Sequence, residues 1–287
     1  MITLKIAELG IAADGFDFPY FRKRTMEYQE PLAKSDLKIT CRMLPHIPKP
    51  AGAEIAACGE RHFLRIEQGY GLYDSAWLNG EEVVVASITA NRDWSVVEAA
   101  LRDVEQCGGA PSDVRSFHLL GEVFRWFLPF HEGIVLHSSC LLSQGSAMAF
   151  SAPSGTGKST HTGLWRKYFT DVTMMNDDSP AVRKREQGMI AYGTPWSGKT
   201  EINHNLSAPL KAIVFLEQAK ENRLQRLSNR EISFRLLREL ARPVFPELLQ
   251  QNLNFLEQMI GAVPAYLLQC TISEEAARLS HRILEGD

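Results

Sequence analysis

The sequence predicts two domains: a smaller β-rich α+β domain over residues 1–110 and an α/β domain over residues 111–287. Three observations predict this division. Short strand patterns dominate the first hundred residues, a run of small residues follows at positions 107–112, and strand and helix patterns alternate from there onward. A length of 287 residues is comfortable for two domains, and 45% hydrophobic with 23% charged residues is ordinary for a globular protein.

Charge and cysteine content exclude several classes of protein. Lys and Arg total 31 against 34 Asp and Glu, so we expect no general nucleic-acid binding. No apolar run approaches the roughly 18–20 residues of a membrane-spanning helix, and the first residues lack a signal-peptide pattern. The five cysteines form no Cys-x-x-Cys pair, which favours incidental thiols over disulfides or a zinc site. We therefore expect a cytoplasmic protein with no membrane association.

The elements of the first domain follow from local patterns. Two short strands are predicted at residues 38–41 and 62–67, with a proline-rich loop between them. Asn79-Gly80 predicts a hairpin of residues 76–78 and 83–87, because both central residues of a type I′ turn need positive φ.

A helix is predicted next, over residues 95–104, because Val96, Ala100 and Val104 recur at helical spacing. The small residues from Cys107 to Ser112 are the best candidate for a linker, which puts the domain boundary near residue 110. Residues 113–130 follow as a helix with an aromatic face, which we interpret as a wall of the second domain.

The second domain alternates strands and helices. Strands are predicted at residues 134–142, 147–151, 172–175, 210–217 and 265–271. Helices are predicted at residues 158–168, 228–240 and 248–260, and from residue 273 onward. Ser228 and Glu231 form a capping box at the start of the second of these helices, and Pro243 and Pro246 are expected to end it.

Residues 152–160, Ala-Pro-Ser-Gly-Thr-Gly-Lys-Ser-Thr, match the phosphate-loop pattern with Ala152 in place of the first glycine. Glycines at 155 and 157 permit torsions that turn successive N–H groups toward an anion, at the positive end of the next helix. Lys158 offers a cation to the β- and γ-phosphates, and the Ser159 hydroxyl is a ligand for Mg²⁺. We therefore predict a nucleotide triphosphate site formed by Ser154, Gly155, Thr156, Gly157, Lys158, Ser159 and Thr160.

Two acids, Asp177 and Asp178, follow the apolar strand after the phosphate-loop helix. If this strand runs parallel to the phosphate-loop strand, both carboxylates reach the carboxyl edge of the sheet, where ligands of α/β sheets bind. Carboxylate oxygens suit Mg²⁺, and a carboxylate beside a hydroxyl can take its proton. The alternative is an exposed acidic turn, which we consider less consistent with the neighbouring phosphate loop.

Other polar residues near these motifs are weaker candidates. His137 follows the strand just before the phosphate loop, and Lys199 in the loop 193–200 is either a cation for a transferring phosphoryl group or part of an exposed turn. His161 is expected at the surface and Trp165 in the core. Candidates for binding an acceptor are Glu201, Asn203, His204 and Asn205.

The order of these motifs resembles the catalytic domain of HPr kinase/phosphorylase, and the related nucleotide core of ATP-dependent phosphoenolpyruvate carboxykinase. The resemblance is carried by Ile-Val-Leu-His at 134–137, Ser-Gly-Thr-Gly-Lys-Ser at 154–159 and Asn-Asp-Asp at 176–178. The short separation between the loop and the acids is its most discriminating part. It covers residues 113–287 and is closest over 137–178, and it implies a phosphate-loop catalytic domain of that fold.

The resemblance also implies roles. Lys158 and Ser159 would contact phosphate and Mg²⁺, Asp177 would take the proton of the acceptor hydroxyl with His137 orienting it, and Asp178 would be a metal ligand or supporting acid. Lys199 is the further catalytic candidate.

The implied activity is an ATP- and Mg²⁺-dependent kinase acting on a serine of a protein or peptide, as in some small HPr-kinase-like proteins. Two alternatives stay open: a nucleotide-binding scaffold or ATPase without transfer, and a kinase for free serine or a sugar. For the first domain we expect acceptor docking or subunit contact in a homo-oligomer.

Overall fold

The structure is a computed structural model that describes residues 1–105, 109–153, 155–239 and 244–286, with only the backbone of Lys199. Contacts within the chain divide it into two units, Met1–Phe130 and His131–Asp287. Each unit contains a large sheet with helices, so the chain is of the mixed α/β type. Cys107 of the predicted linker, and residue 240 and Pro243 at the predicted end of a helix, lie outside the described residues.

The described residues of the first unit hold a mixed sheet of eight strands. The strands are β1 Ile2–Ile6, β2 Leu9–Asp14, β3 Leu37–Met43, β4 Ala53–Cys58, β5 Arg61–Ile66, β6 Gly69–Leu78, β7 Glu81–Asn91 and β8 Val96–Leu101. Their spatial order is β1-β2-β3-β8-β7-β6-β5-β4, with parallel pairing of β3 to both β2 and β8. Asn79 and Gly80 have φ of 54° and 85° between β6 and β7, which confirms the predicted hairpin.

The helix predicted over residues 95–104 is wrong, because Val96–Leu101 is strand β8. It lies between β3 and β7, pairing Val97 with Ile39 and Ala99 with Ile88. A spacing of four residues fits both a helical repeat and the two-residue repeat of a strand. The pairing partners on both sides of β8 therefore decide between the two.

Two helices, α1 Pro19–Thr25 and α2 Ser112–Phe127, belong to the first unit. The prediction that α2 is a wall of the second domain is wrong, because α2 lies within the first unit. The Phe117 ring lies 6.3 Å from that of Phe21, and the Trp126 ring lies 4.6 Å from that of Trp94. The division consequently falls after Phe130 and not near residue 110. An aromatic helix face indicates burial but not which sheet covers it.

The described residues of the second unit contain nine strands and four helices. The strands are β9 Gly133–Val135, β10 Ser139–Ser143, β11 Ser146–Ser151, β12 Thr173–Asn176, β13 Ala181–Arg185, β14 Gly188–Tyr192, β15 Ser207–Gln218, β16 Arg223–Arg226 and β17 Ala265–Cys270. The helices are α3 Lys158–Tyr168, α4 Asn229–Glu239, α5 Pro246–Ala262 and α6 Glu274–Glu285. The order in the sheet is β12-β10-β11-β15-β14-β13-β9, with β17 beside β15 and β16 beside β17.

The strand directions bring the carboxyl ends of several strands to one edge of the sheet. Strand β15 pairs in parallel with β11 and with β17, while β10 runs antiparallel to both β11 and β12. Strand β12 therefore has the same direction as β11, as predicted, with β10 between them. Along β15, Ile213 and Phe215 pack on one face, and Val214 and Leu216 pack on the other with Trp165 of α3. Because both faces are covered there, residues 212–216 of β15 form a continuous apolar run.

The single strand predicted over residues 134–142 is two strands, β9 and β10. They join different parts of the sheet, since β9 pairs with β13 whereas β10 pairs with β11 and β12. The break leaves His137 between strands, and the next backbone N–H, that of Ser138, donates to the carbonyl oxygen of Asp178 at 3.0 Å.

Helix ends in the second unit largely follow their predicted signals. Ser228 N donates to Glu231 Oε2 at 2.9 Å and Glu231 N donates to Ser228 Oγ at 3.4 Å, which confirms the capping box. Pro246, however, opens α5 at its first turn. Across the described residues, no helix combines the length and apolarity needed to cross a membrane.

Candidate functional site

The glycine-bearing loop between β11 and α3 has a backbone that favours glycine. Gly155 and Gly157 have φ of 78° and 114°, and no atom lies within 4 Å of a Cβ built at either position. The torsions, and not crowding, therefore demand glycine. Gly157 is the N-cap residue of α3, and it has no side chain to accept the first N–H groups of the helix. These groups and the positive end of the helix dipole face the loop. Ser154 lies outside the described residues.

Lys158 is the cation of this loop. Its side chain is buried, and Nζ donates to the carbonyl oxygen of Ala152 at 2.6 Å and lies 3.2 Å from His137 Nε2. Burial lowers the pKa of Lys158, while the carboxylates of Glu239, Asp178 and Asp177 oppose that shift. The ammonium therefore lies between the loop and a group of acids.

Asp177, just after β12, is tied to the loop through hydroxyl groups. Ser159, on the first turn of α3, donates from Oγ to Asp177 Oδ2 at 3.0 Å. Ser139, on β10, donates from Oγ to Asp177 Oδ1 at 2.8 Å. Asp177 is buried, so both of its oxygens are held in place by these serines. The structure thus brings the predicted acid against the predicted loop.

Asp178 has a different environment. Its side chain is 38% exposed, and Oδ1 lies 3.6 Å from His137 Nε2. Ser179 Oγ donates to its other oxygen at 2.9 Å. The structure therefore puts His137 beside Asp178 and Ser159 beside Asp177.

Glu239, at the end of α4, is a site residue that the sequence analysis missed. Its Oε2 lies 3.0 Å from His137 Nδ1, across 102 positions of sequence. An ionised carboxylate only accepts and an ammonium only donates, so Glu239 and Lys158 together favour the His137 tautomer with its proton on Nδ1. A helical glutamate so far from the motifs carries no sequence signal of this contact.

Asn176 fixes the loop 193–200 against the acids. Its Nδ2 donates to the carbonyl oxygens of Thr194 at 2.8 Å and Trp196 at 3.1 Å. Its Oδ1 accepts from the backbone N–H of Asp178 at 2.8 Å and of Ser179 at 2.6 Å. A fully buried amide therefore joins the acid-bearing turn to a second loop.

Glycines let this second loop approach closely. A Cβ at Gly193 would lie 1.9 Å from the carbonyl oxygen of His204, and one at Gly198 would lie 3.1 Å from Asp178 Cβ. Gly198 also has a φ of 62°. The side chain of Lys199 lies outside the description, so its predicted role stays a prediction.

The predicted acceptor residues follow the second loop. The Asn203 side chain binds the second loop, since its Nδ2 donates to Ser197 Oγ at 2.9 Å. Glu201, His204 and Asn205 are exposed.

A cavity of about 540 Å³ is lined by the loop lysine, the serine that follows it and both acids of the pair. Within the described residues, no set of three or more His, Cys, Asp or Glu side chains is arranged to hold a metal ion. The lining residues are His137, Gly155, Gly157, Lys158, Ser159, Thr160, Asp177, Asp178, Ser197, Gly198 and Thr200.

His161 is buried, and the prediction of a surface position is wrong. Its Nε2 lies 2.9 Å from Ser280 Oγ on α6, which also accepts from Trp165 Nε1 at 2.9 Å. Burial lowers the pKa of His161 to about 4. Trp165 is fully buried, as predicted. Helix α6 covers this face of α3, an arrangement that local sequence does not reveal.

Comparisons with known proteins include a distant structural likeness. No family model matches the chain, and no curated protein matches it. Among solved structures, the Hpr(Ser) kinase/phosphatase from Coxiella burnetii aligns with a TM-score of 0.31 and 9% identity, over 53% of this chain and 88% of that chain. A likeness this weak carries no argument about function, which must be argued from the residues of the site.

Proposed function

We propose that this protein is an ATP-dependent phosphotransferase that moves the γ-phosphoryl group of ATP to a hydroxyl group. One observation carries the proposal: the serine that follows the loop lysine donates a hydrogen bond to an acid of the pair, Ser159 Oγ to Asp177 Oδ2 at 3.0 Å. The cation, the hydroxyl and both carboxylates line the same cavity. That is the set of groups that phosphoryl transfer requires, since its catalysis is mostly positioning and charge neutralisation.

The loop is suited to hold the phosphates. Positive φ at Gly155 and Gly157 and the uncapped start of α3 direct backbone N–H groups toward an anion. Lys158 would exchange the carbonyl oxygen of Ala152 for a phosphate oxygen, because the phosphate carries the larger negative charge. The loop would then bind the triphosphate through fixed amides and one mobile ammonium.

The residues present also fit Mg²⁺. Ser159 Oγ and Asp177 Oδ2 are hard oxygen donors, and Mg²⁺ is usually held by one or two carboxylates together with substrate phosphates and water. When bound, Mg²⁺ would neutralise charge on the β- and γ-phosphates. Ser139 would hold Asp177 in place through its hydrogen bond to the other carboxylate oxygen.

We assign the proton acceptor to Asp178, the reverse of the order that the sequence resemblance implies. Both oxygens of Asp177 already accept hydroxyl groups, whereas Asp178 is partly exposed to the cavity beside His137. The hydroxyl oxygen would attack phosphorus, the bond to the bridging oxygen would break, and ADP would leave. The hydroxyl proton would pass to the Asp178 carboxylate.

Single-turnover transfer from γ-labelled ATP tests this assignment with matched amide variants. We expect Lys158→Ala to lose nucleotide binding. Asp178→Asn should bind ATP normally and transfer about 100-fold or more slowly, while Asp177→Asn should need more Mg²⁺ for the same rate. Unchanged ATP affinity in Lys158→Ala would remove the nucleotide proposal. Full transfer by Asp178→Asn, with the loss in Asp177→Asn, would restore the order implied by resemblance.

The acceptor we propose is a serine of a protein or peptide. A lysate incubated with the enzyme and labelled ATP separates this from the alternatives. Label in a protein or peptide supports the proposal, and label in free serine or a sugar favours a small-molecule kinase. A protein that binds ATP through Lys158 but labels no acceptor would be a nucleotide-binding scaffold or an ATPase.

A further inference from the structure

A second cavity, of about 430 Å³, adjoins the glycine-bearing loop. Gly155, Gly157 and Thr160 line both this cavity and the one that holds the acids. The loop is therefore a wall that the two cavities share. A ligand held by the amides of the loop can extend into both cavities.

The remaining walls come from the carboxyl edge of the sheet and from α3. Gln218 ends strand β15 and Cys270 ends strand β17, both of which run parallel to β11. Ligands of open α/β sheets bind outside this edge. Helix α3 contributes Leu164 from the opposite side. The cavity therefore lies at the edge from which the glycine-bearing loop also leaves the sheet.

The chemistry of the walls differs from that of the acid-bearing cavity. Leu164, Leu216 and Ile272 present apolar surface, and the described lining contains no Asp, Glu, Lys or Arg. Ile272 is 78% exposed and lines this cavity. Such walls suit a flat, uncharged group and not a phosphate.

We propose that this cavity, the nucleoside pocket, takes the base and ribose of the bound nucleotide. This rests on the proposed function, because a triphosphate on the loop is what joins the two cavities. The phosphate chain would then run from the nucleoside pocket across Gly155–Thr160 to Asp177 and Asp178. It follows that the acceptor hydroxyl enters from the other side, past His137 and Gly198. The nucleoside and the γ-phosphate are thereby assigned to separate cavities.

Two ligands that differ only in the nucleoside test the assignment: ATP and inorganic tripolyphosphate, each titrated with Mg²⁺ by calorimetry. Ala219→Trp fills the nucleoside pocket, and Ile272→Glu puts a charge at its mouth on an exposed position. Each should weaken ATP binding about tenfold or more, the change expected when one apolar side chain loses its contact. Tripolyphosphate binding should stay within about twofold. Ile55→Glu, the same change at another exposed isoleucine, should alter neither.

The outcomes separate this inference from the proposed function. Equal loss of both ligands in folded Ile272→Glu protein, or unchanged ATP affinity in both pocket variants, would overturn the nucleoside pocket. If wild-type protein bound tripolyphosphate through Lys158 in that experiment, the phosphate site would stand. If tripolyphosphate failed to bind, or bound equally to Lys158→Ala, the proposed function itself would fail. Circular dichroism and a melting curve for each variant establish that it folds.

Discussion

Replacing Asn176 with aspartate should break the connection between the acid-bearing turn and the second loop. The two side chains have nearly the same size, so the change exchanges one amide nitrogen for oxygen and adds a charge. In the described structure the Asn176 side chain makes five hydrogen bonds: three from Nδ2 to oxygens of Thr194 and Trp196, and two to Oδ1 from Asp178 and Ser179. Aspartate keeps the two hydrogen bonds that Oδ1 accepts and loses the three that Nδ2 donates.

The cost follows from what the lost donor leaves behind. Two backbone carbonyl oxygens would face a carboxylate oxygen at about 3 Å inside a fully buried site, whereas the Thr194 hydroxyl keeps its own hydrogen bond to the carbonyl oxygen of Ser179. Each unsatisfied buried group costs about 1–3 kcal/mol, so we expect a loss of about 3–5 kcal/mol at pH 7. This is a large part of the stability of a typical domain. A protonated carboxyl can donate once, so the deficit should shrink as the pH falls.

Equilibrium unfolding in urea at pH 7 and pH 5 measures this effect. The burial of the new carboxyl raises its pKa in the folded state above its unfolded value, so its protonated form stabilises the fold at low pH and that contribution is lost as the pH rises. Asn254→Asp, at an exposed amide of α5, is the matched control and should change stability by less than about 0.5 kcal/mol. A loss below about 1 kcal/mol in Asn176→Asp would refute the reasoning.

Three other perturbations test separate parts of the site. Because burial lowers the pKa of His161 to about 4 from about 6.5 in the unfolded chain, its contribution to stability is complete above pH 6.5 and falls by about 3 kcal/mol toward pH 4. His161→Gln should lack that part of the pH dependence in urea unfolding of the nucleotide-free protein, and an unchanged slope would show that His161 titrates normally. Gly198→Ala should cost about 1–2 kcal/mol for its left-handed backbone and displace the Asp178 carboxylate, so transfer should slow while calorimetry shows unchanged ATP affinity. Removal of Mg²⁺ with EDTA should abolish transfer, and Ser159→Ala should raise the Mg²⁺ concentration for half-maximal rate about tenfold, an effect that Ser233→Ala on α4 should not share.

Local chemistry in the sequence predicts several elements because each depends on a few adjacent residues. The Asn79-Gly80 hairpin and the Ser228–Glu231 cap are of this kind. The loop 152–160 is similar, since its glycines meet torsions that other residues avoid. The helix predicted over residues 95–104 is wrong because the local pattern is ambiguous there. Val96 and Ala100 fit both a helical and a strand repeat, and only the pairing of β8 with β3 and β7 selects the strand.

By itself, the sequence determined the order of the loop, the lysine, the serine and the acids, and the turns that depend on glycine and asparagine. The tertiary structure decided which partner each side chain meets: Ser159 with Asp177, His137 with Asp178 and Glu239, and α2 with the first unit. The physical reason is range. Torsions and caps are set within a few residues, whereas the contact between His137 and Glu239 depends on how the chain between them folds over 102 positions.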